Sequence, residues 1–476
     1  MGFMVAGRAA FVLFAVGLLT TGCSAIDAVT DRLTGVDRPK EGSVGFVRGF
    51  LGAVVADEPQ AVLAARAVLS AGGNAADAAV AAGFTLAVTL PSRAGLGAGG
   101  ACLAFAPESP LLGAEAVMFL PQPGGGGGDR PAAVPMMARG LFALHARYGK
   151  RPFESLIVPA EQLARFGAPV SRAFARDLDV VAVPLAGDPD TADIFLPRGR
   201  RLVEGDNFVQ PDLAGTIGQL RVAGIGDLYQ GGLARRLVES SQRAGGGLTA
   251  AALRGALPQY QPAPKLALGR GDFASFLPTD GGVAAGAAWR VLNANPAAAD
   301  AAAARAAGVA AAWRRGAYAG NAQAALEATD ALAGGLPPLP ASTGFMTMDR
   351  EGNAVACVVT MNNLFGTGRV APQTGVLLAA TPGASTQPLL AAAITYGGQA
   401  KLAFKGAFTG TGQEGAAMAV AVAMQQSIAA RRALPNPVPE PGRANAMVCP
   451  SELPAAPEQC SWATDPRGSG LAAGGN

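Results

Sequence analysis

The 476-residue sequence contains a single histidine, His145, and is poor in charged residues (15%) and aromatic residues (6%). One histidine cannot form a histidine-rich metal site, and any Ser/His/Asp catalysis would depend on it alone. The net charge is only +3, and no basic cluster is denser than Arg198-Gly-Arg-Arg201. These scarcities argue against a nucleic-acid partner. The sequence also lacks a CxxC pair, and we expect neither a metal ion nor a cofactor.

Apolar residues, glycine and proline are abundant by contrast. Half of the residues are apolar, and there are 65 glycines and 35 prolines. The glycines have no three-residue period, which excludes collagen, and the low charge with high apolar content argues against wholesale disorder. A chain of this length can bury a large core, and length alone suggests two or three domains.

The amino terminus has the pattern of an export signal, which we assign to residues 1–22. Arg8 supplies the positive charge, and the apolar run Ala9–Leu19 is too short to span a bilayer of ~30 Å. The following Thr20-Thr-Gly-Cys23 resembles the lipobox of bacterial lipoproteins, with its leucine one position early. We therefore expect an exported protein, periplasmic or at the outer membrane of a bacterium, with Cys23 lipidated and a lipid anchor in the membrane. Cleaved export without lipid and an uncleaved anchor remain alternatives.

The other four cysteines divide into two pairs by context. Cys449 and Cys460 lie 11 positions apart in a Pro-rich tail, residues 435–476, where a disulfide would staple a segment that has no evident core. Cys102 and Cys357 lie in apolar, strand-like runs. We predict that these two are small buried hydrophobic residues.

Composition divides the rest of the chain. Residues 23–42 form a polar linker, and residues 283–335 are so rich in alanine and glycine that we predict a helical insertion. The segment 335–341 is a second linker, rich in glycine and proline. Alternating apolar residues on both sides of Asp349-Arg-Glu-Gly352 then predict a β-hairpin. The residues alone support only a mixture of helices and strands.

The longest motif, Gly72-Gly-Asn-Ala-Ala-Asp-Ala-Ala-Val-Ala-Ala82, resembles the signature helix of the γ-glutamyltransferase family, GGNA-x-DAA-x-A. The resemblance covers residues 43–265 and 342–430. The further motifs that carry it, all in the family's order, are Pro91, Gly95-Leu-Gly-Ala-Gly-Gly100, Ala133-Val-Pro, Gly140, His145-Ala-Arg-Tyr-Gly149, Pro159-Ala-Glu-Gln-Leu-Ala164, Asn207-Phe-Val-Gln-Pro-Asp-Leu-Ala214, Tyr229-Gln-Gly-Gly-Leu-Ala234, Asp349-Arg-Glu-Gly-Asn-Ala-Val355, Thr360-Met-Asn362 and Phe365-Gly-Thr-Gly368.

The resemblance implies an N-terminal-nucleophile hydrolase. Its fold class would be α+β, a four-layer αββα sandwich. Members of the family are proenzymes that cut themselves into a large and a small subunit, here residues 43–341 and 342–434, which remain associated. The nucleophile is the first residue of the small subunit, normally threonine. Counting back from Asp349 along the family pattern places it at Ser342, with Thr343 matching the family's second threonine.

This chemistry needs no histidine. Cleavage between Ala341 and Ser342 would free an α-amine with a pKa of ~7.7–8.0, and that amine can accept the proton of the Ser342 hydroxyl. Thr343 is the alternative nucleophile. Ser342-Thr343 could also simply begin a strand, without any cleavage.

The resemblance assigns further site residues. Thr360 matches the threonine that hydrogen-bonds the nucleophile's hydroxyl. Asn362 matches the asparagine that contacts the substrate, and we expect Thr343 on the substrate side as well. Gly410 and Gly412 fall where the family has the glycines of its oxyanion hole.

Several departures from the family pattern put a γ-glutamyl substrate in question. Leu120 stands where the family has the arginine that binds the α-carboxylate, and a leucine cannot make that bidentate contact. Residues 379–383 contain no acid to pair with the α-amino group, and Leu390-Ala391 replaces a serine pair. Arg93 or Arg369 could supply another cation.

Two functions are therefore compatible with the sequence. In the first, the chain is a self-processing amidase or acyltransferase that forms an acyl-Ser342 intermediate. It would pass a γ-glutamyl-like acyl group from a small amide or peptide, glutathione-type substrates included, to water or an amine. In the second, a catalytically degenerate family member serves as a cell-envelope binding or structural lipoprotein.

Overall fold

The computed structural model describes residues 49–329, 342–383, 389–398 and 402–475. The predicted signal peptide, Cys23, the linker 23–42 and the segment 335–341 with Ala341 lie outside the described residues. Ser342 is the first described residue after that segment. The architecture below concerns the described part of the chain.

Nineteen strands are described. They are β1 (Gly52–Ala56), β2 (Gly99–Phe105), β3 (Glu115–Phe119), β4 (Gln122–Pro123), β5 (Ala133–Val134), β6 (Ala168–Pro169), β7 (Asn207–Phe208), β8 (Gln259–Pro262), β9 (Lys265–Gly269), β10 (Asp272–Phe276), β11 (Ser342–Asp349), β12 (Ala354–Thr360), β13 (Val370–Ala371), β14 (Val376–Leu377), β15 (Ala391–Gly397), β16 (Ala403–Thr411), β17 (Arg443–Leu453), β18 (Ser461–Thr464) and β19 (Leu471–Gly474).

Sixteen α-helices are described with them. They are α1 (Pro59–Ser70), α2 (Ala75–Thr89), α3 (Pro91–Ala94), α4 (Met137–Tyr148), α5 (Phe153–Leu156), α6 (Val158–Phe166), α7 (Arg172–Leu185), α8 (Pro189–Phe195), α9 (Pro211–Ala223), α10 (Asp227–Gln230), α11 (Gly232–Arg243), α12 (Ala250–Gly255), α13 (Asp280–Ala294), α14 (Ala299–Arg314), α15 (Ala322–Glu327) and α16 (Ala416–Ala430).

Two large antiparallel sheets form the centre of the molecule. The first has the strand order β19-β1-β11-β12-β2-β3-β8, and the second has the order β18-β17-β16-β15-β10-β9. Strand β12 shows how the layers are built, because successive side chains of a strand point to opposite faces. Val355, Cys357 and Val359 pack against the first helical layer, while Ala356 and Val358 pack between the sheets.

Three buried cores separate four layers. One core joins the first sheet to helices that include α1, α2, α4 and α6, and a second fills the space between the sheets. The third joins the second sheet to α13, α14 and α16. Three cores between four layers confirm the predicted αββα sandwich.

The signature motif forms the cap and the body of helix α2. The Asn74 side chain accepts a hydrogen bond from the Asp77 backbone N–H, and the Asp77 carboxylate accepts one from the Asn74 N–H, each at 3.0 Å. This reciprocal capping satisfies two backbone donors that the helix itself cannot. All 15 helical residues are buried. A Cβ at Gly83 would lie 2.5 Å from Leu141 Cδ1, so glycine allows α4 to pack closely there.

The Ala-rich segment 283–335, predicted as an insertion, belongs to the sandwich in its described part. Helix α13 is buried from Asp280 to Trp289, and α14 packs beside it over the second sheet. Alanine side chains are short enough for these helices to pack closely without a stripe of large residues. The segment is therefore part of the fourth layer rather than an addition to it.

The prediction of an irregular tail over 435–476 is also wrong. Strands β17 and β18 extend the second sheet, and β19 pairs with β1 at the edge of the first sheet. The prolines that suggested irregular structure at 435–441 precede β17, and the residues of β17 that pair with β16 include the apolar run 446–448.

Both cysteine pairs form disulfides. Cys449 is bonded to Cys460, the pairing expected from the sequence. Cys102 is bonded to Cys357, so the prediction of two unpaired buried thiols is wrong. The reason is the register of β2 and β12, which places these residues directly opposite each other on neighbouring strands.

Asp349, at the end of β11, gives the fold a pH dependence. Burial raises the pKa of this carboxyl from 3.8 to about 6, although hydrogen bonds from Asn353 and the Ala75 N–H oppose the change. The folded state therefore binds the proton more tightly than the unfolded state. The resulting stabilisation is complete below pH 3.8 and is lost as the pH rises through 6.

We predict that the wild-type chain loses about 2 kcal/mol of unfolding free energy relative to Asp349→Asn between pH 4.5 and 7.5. Chemical denaturation of both proteins across that interval measures the difference. The comparison removes the titration of all other groups, since both proteins share them. Parallel stability profiles would contradict the assignment of this titration to Asp349.

Candidate active site

The antiparallel pairing of β11 and β12 positions the two predicted catalytic residues. Ser342 is the first residue of β11, and Thr360, the last residue of β12, lies directly opposite it. Both are buried, with Ser342 3% exposed and Thr360 fully buried. The register thus brings together two hydroxyl groups that are 18 positions apart in the sequence.

Asn362 follows β12 in a left-handed conformation, φ 64°, which asparagine tolerates better than most residues. Its backbone N–H donates to the Thr360 Oγ1 at 2.9 Å, and its side-chain Nδ2 donates to the Ala380 carbonyl at 2.7 Å. The second bond fixes which end of the amide is the donor. The other end, Oδ1, is buried and has no hydrogen-bond partner among the described residues.

Thr343 points to a different partner. Its hydroxyl donates to the Asp57 Oδ2 at 2.9 Å, and the Gly344 N–H donates to the same oxygen at 3.0 Å. The Asn445 Nδ2 donates to the other oxygen of Asp57 at 2.9 Å. Asp57 therefore joins the loop after β1 to the start of β11 and to β17. Sequence reasoning missed Asp57 and Asn445, although Asp57-Glu58 directly after the apolar run of β1 was a signal for the former.

Ser342 lines a cavity of about 260 Å³, which we call the Ser342 cavity. Its described wall is rich in charged side chains and takes residues from both sheets and from α7, and the charged members are Asp57, Arg93, Arg176, Arg443, Asp465 and Arg467. Arg443 and Arg467 were not predicted to line a site, because the tail that carries them was expected to lie outside the fold.

The two predicted oxyanion glycines occupy different positions. Gly412, φ 96°, lines the Ser342 cavity. Gly410 is not among the residues that line it and lies inside β16, paired on both sides with Ala391 and Ala444. A Cβ at Gly410 would lie 2.2 Å from the Ala416 carbonyl oxygen, so glycine there permits the close approach of helix α16.

Thr360 and Asn362 line a second cavity of about 190 Å³, which we call the Leu120 cavity. Leu120 itself, the residue predicted from the sequence to replace the family's arginine, is part of its wall. The other described lining residues are mostly apolar, and they are Pro121, Pro278, Thr279, Asp280, Trp313, Pro382 and Leu390. Pro278, Asp280 and Trp313 come from the region in and before the predicted insertion, and sequence reasoning missed them.

The two arginines considered as replacement cations are both held by acids. Arg93 makes a bidentate ion pair with Asp177, with N–O distances of 2.7 and 2.6 Å. Arg369 pairs with Asp129 at 2.8 Å. Arg93 lines the Ser342 cavity, and neither arginine is among the described residues that line the Leu120 cavity.

His145 is not among the described residues that line either cavity. His145 Nε2 lies 2.6 Å from the Arg151 carbonyl oxygen and 3.6 Å from Asp77 Oδ1, at the start of helix α2. The described residues contain no group of His, Cys, Asp and Glu side chains suited to hold a metal ion. Among the described helices, none combines the length and the hydropathy needed to span a bilayer.

Comparison with known proteins shows which family the chain resembles. Residues 61–307, just over half of the chain, match the family described as Gamma-glutamyltranspeptidase. The glutathione hydrolase proenzyme of Pseudomonas aeruginosa is 34% identical over 214 residues, which cover 42% of this chain and 38% of that protein. The glutathione hydrolase proenzyme of Escherichia coli is 27% identical over 390 residues, 70% of this chain and 66% of that protein.

A solved structure agrees in fold over nearly the whole chain. The crystal structure of cephalosporin acylase from Bacillus halodurans superposes with a TM-score of 0.70 and 19% identity, covering 91% of this chain and 97% of that one. The αββα sandwich and this likeness define the fold class of the N-terminal-nucleophile hydrolases. Within that class, the chain belongs to the γ-glutamyltranspeptidase family. It spans less than two thirds of the length of the glutathione hydrolases that it matches.

Proposed function

We propose that this chain is a self-processing amidase or acyltransferase of the γ-glutamyltranspeptidase type, with Ser342 as its nucleophile. The observation that carries the proposal is the position of Ser342. It begins a central strand, lies opposite Thr360 and lines a cavity of about 260 Å³. Family membership supports acyl transfer of the γ-glutamyl type, and both relatives named above are proenzymes.

Processing would begin with attack of the Ser342 hydroxyl on the Ala341 carbonyl. The peptide C–N bond breaks as the ester C–O bond forms, and the nitrogen keeps its electron pair and gains a proton to become the Ser342 α-amine. Water then hydrolyses the ester, which releases the carboxylate of Ala341 and restores the hydroxyl. The two fragments, residues 1–341 or its mature form and residues 342–476, remain in one sandwich because strands of both form the same sheets.

The acyl-transfer cycle would reuse the same hydroxyl. The new α-amine takes the Ser342 proton while the oxygen attacks the substrate amide, and it returns the proton to the leaving amine. Thr360 orients the nucleophile, Asn362 lies on the substrate side, and N–H groups of the loop at Gly412 are the proposed donors to the oxyanion. In this mechanism Thr343, which is bound to Asp57, and Gly410, which is paired within β16, do not take the substrate and oxyanion roles that the resemblance implied. Water or an amine then removes the acyl group.

A second candidate is a catalytically degenerate family member that serves as a cell-envelope binding or structural lipoprotein. It is favoured by the apolar Leu120, which lines one cavity with Thr360 and Asn362 and which the sequence pattern places at the position of the family's arginine. Export through residues 1–22, lipidation at Cys23 and a periplasmic or outer-membrane location are part of both candidates. These features remain predictions from the sequence.

Purification without the signal, followed by a reducing denaturing gel, separates the two candidates. The first predicts two fragments, the smaller beginning at Ser342 and containing 135 residues. It also predicts release of aniline from acyl anilides by the cut protein. A single band that persists on long incubation, with no anilide turnover, would support the degenerate member instead.

A further inference from the structure

The Leu120 cavity, which Thr360 lines, differs in charge from the Ser342 cavity, although Ser342 and Thr360 are paired across β11 and β12. Four arginines line the Ser342 cavity, but no arginine or lysine is among the described residues around the Leu120 cavity. Its charged lining residue is Asp280, which Arg314 neutralises in an ion pair with an N–O distance of 2.6 Å. A bound carboxylate would therefore meet Asp280 and apolar side chains, with no described lining cation to compensate its desolvation.

The apolar part of the wall is contributed by separate elements. Leu120 and Pro121 follow β3, Pro278 follows β10, Trp313 lies in α14, and Leu390 precedes β15. Pro278 and Leu390 are buried, and the other three are partly exposed. Covering the apolar surface of a ligand with such a wall stabilises the complex by ~25 cal/mol per Å² of surface removed from water.

Asn362 supplies one polar atom that the protein leaves unused. The residue is 2% exposed, its Nδ2 is bound to the Ala380 carbonyl, and its Oδ1 has no partner among the described residues. A buried acceptor without a partner costs free energy. A ligand with a hydrogen-bond donor next to this oxygen would remove that cost, and the donor must belong to a ligand otherwise suited to an apolar cavity.

We propose that the Leu120 cavity binds the acyl side of the substrate, and that this acyl group is uncharged and mainly apolar, with one hydrogen-bond donor for Asn362 Oδ1. An arylacetyl group with an α-hydroxyl has this chemistry. The proposal rests on the proposed acyl transfer at Ser342 and narrows its substrate class. It differs from a γ-glutamyl group, which carries an ammonium and a carboxylate.

Binding to the purified, full-length mature protein tests the chemistry of the cavity directly. Calorimetric titration with phenylacetamide, mandelamide and L-glutamine compares a neutral apolar amide, the same amide with an α-hydroxyl donor, and an amide with two charges. We expect phenylacetamide to bind at least about tenfold more tightly than glutamine. Mandelamide should bind about threefold to tenfold more tightly still, the gain expected for one hydrogen bond. Equal or tighter binding of glutamine would overturn the proposal.

Two substitutions test whether the binding preference arises in the Leu120 cavity. Leu120→Arg should weaken phenylacetamide binding and strengthen glutamine binding, so that the preference falls by at least about tenfold. The matched control Leu112→Arg adds the same charge at a leucine that is 75% exposed, and it should leave the preference unchanged. Asn362→Gly suits the left-handed backbone and removes the acceptor. It should abolish the advantage of mandelamide over phenylacetamide, and an advantage that persists would overturn the role of Oδ1.

Turnover distinguishes this proposal from the function on which it rests. If phenylacetyl anilide and γ-glutamyl anilide both remain intact and the chain stays uncut, acyl transfer is disproved while the binding preference still decides the cavity's chemistry. If the chain cuts itself and γ-glutamyl anilide is the better substrate, acyl transfer stands and the apolar acyl site is disproved. Faster turnover of the phenylacetyl compound supports both.

Discussion

Replacing Ser342 by alanine is expected to abolish self-cleavage and to lower anilide turnover by at least about 10⁴-fold, the scale of losing a nucleophile. No other described hydroxyl combines its position at the start of β11 with a place on the cavity wall. The measurement is a reducing gel of the purified variant beside the wild type, with anilide kinetics on the same samples. The variant should give one band that remains uncut on long incubation.

The control for this experiment is Ser155→Ala. Ser155 is an exposed serine whose hydroxyl donates to the Pro152 carbonyl, and its loss should leave both cleavage and turnover unchanged. Ser342→Thr should restore cleavage, because threonine keeps the attacking oxygen. If Ser342→Ala still cleaved, the nucleophile would be another residue, and Thr343 would be examined next.

The structure favours Ser342 over Thr343 for a physical reason. The Thr343 hydroxyl donates its proton to Asp57, and Asp57 is also held by the Gly344 N–H and by Asn445. A hydroxyl in that network helps to fix the start of β11. In the proposed mechanism Thr343 therefore contributes position, and Ser342, next to it on the strand, supplies the attacking oxygen.

The part of the fold that was predicted most directly from the sequence is the helix of the signature motif. The Gly72–Ala82 motif encodes a helix whose cap, Asn74 with Asp77, and whose small buried side chains follow from the residue types. The motif could not show how later segments pack. Alanine has the same high helix propensity in a buried layer as on a surface, so the composition of 283–335 predicted helices without predicting that α13 and α14 cover the second sheet.

The part of the site that could be predicted from the sequence is the part that the register of β11 and β12 determines. A hairpin around Asp349–Gly352 with alternating apolar residues makes residues 342 and 360 neighbours, and the structure has that register. The walls of both cavities were not predictable in this way, because Trp313, Arg443 and Arg467 approach from segments with weak or misleading local signals. Long-range packing, which a local pattern does not encode, brings them to the site.

Strand register also explains the unexpected disulfide, which would have a large consequence if the chain is cleaved as proposed. Cys102 lies in β2, before the proposed cleavage point, and Cys357 lies in β12, after it. Cleavage between Ala341 and Ser342 would leave the two fragments joined through this bond. The Cys449–Cys460 bond lies wholly within the smaller fragment and cannot join them.

We therefore predict one band near full length on a non-reducing denaturing gel and two bands on a reducing gel. Cys357→Ala should give two bands under both conditions, because the covalent link between the fragments is gone. Cys460→Ala is the matched control, since it removes a disulfide that lies within the smaller fragment and should still give one non-reduced band. A cut, unreduced wild-type protein that separates into two bands would contradict the Cys102–Cys357 bond. One band under both conditions would instead contradict cleavage.

The same bond should dominate the stability of the uncut chain. In the Ser342→Ala background it closes a loop with a sequence separation of 255, against 11 for Cys449–Cys460. Chain entropy then gives about 5.5 kcal/mol for the first bond and about 3 kcal/mol for the second. Denaturant unfolding of the Cys102→Ala/Cys357→Ala and Cys449→Ala/Cys460→Ala variants should show the larger loss for the first. In the cut protein that loss becomes concentration-dependent, because without the first bond the two fragments are separate molecules that associate through non-covalent contacts alone.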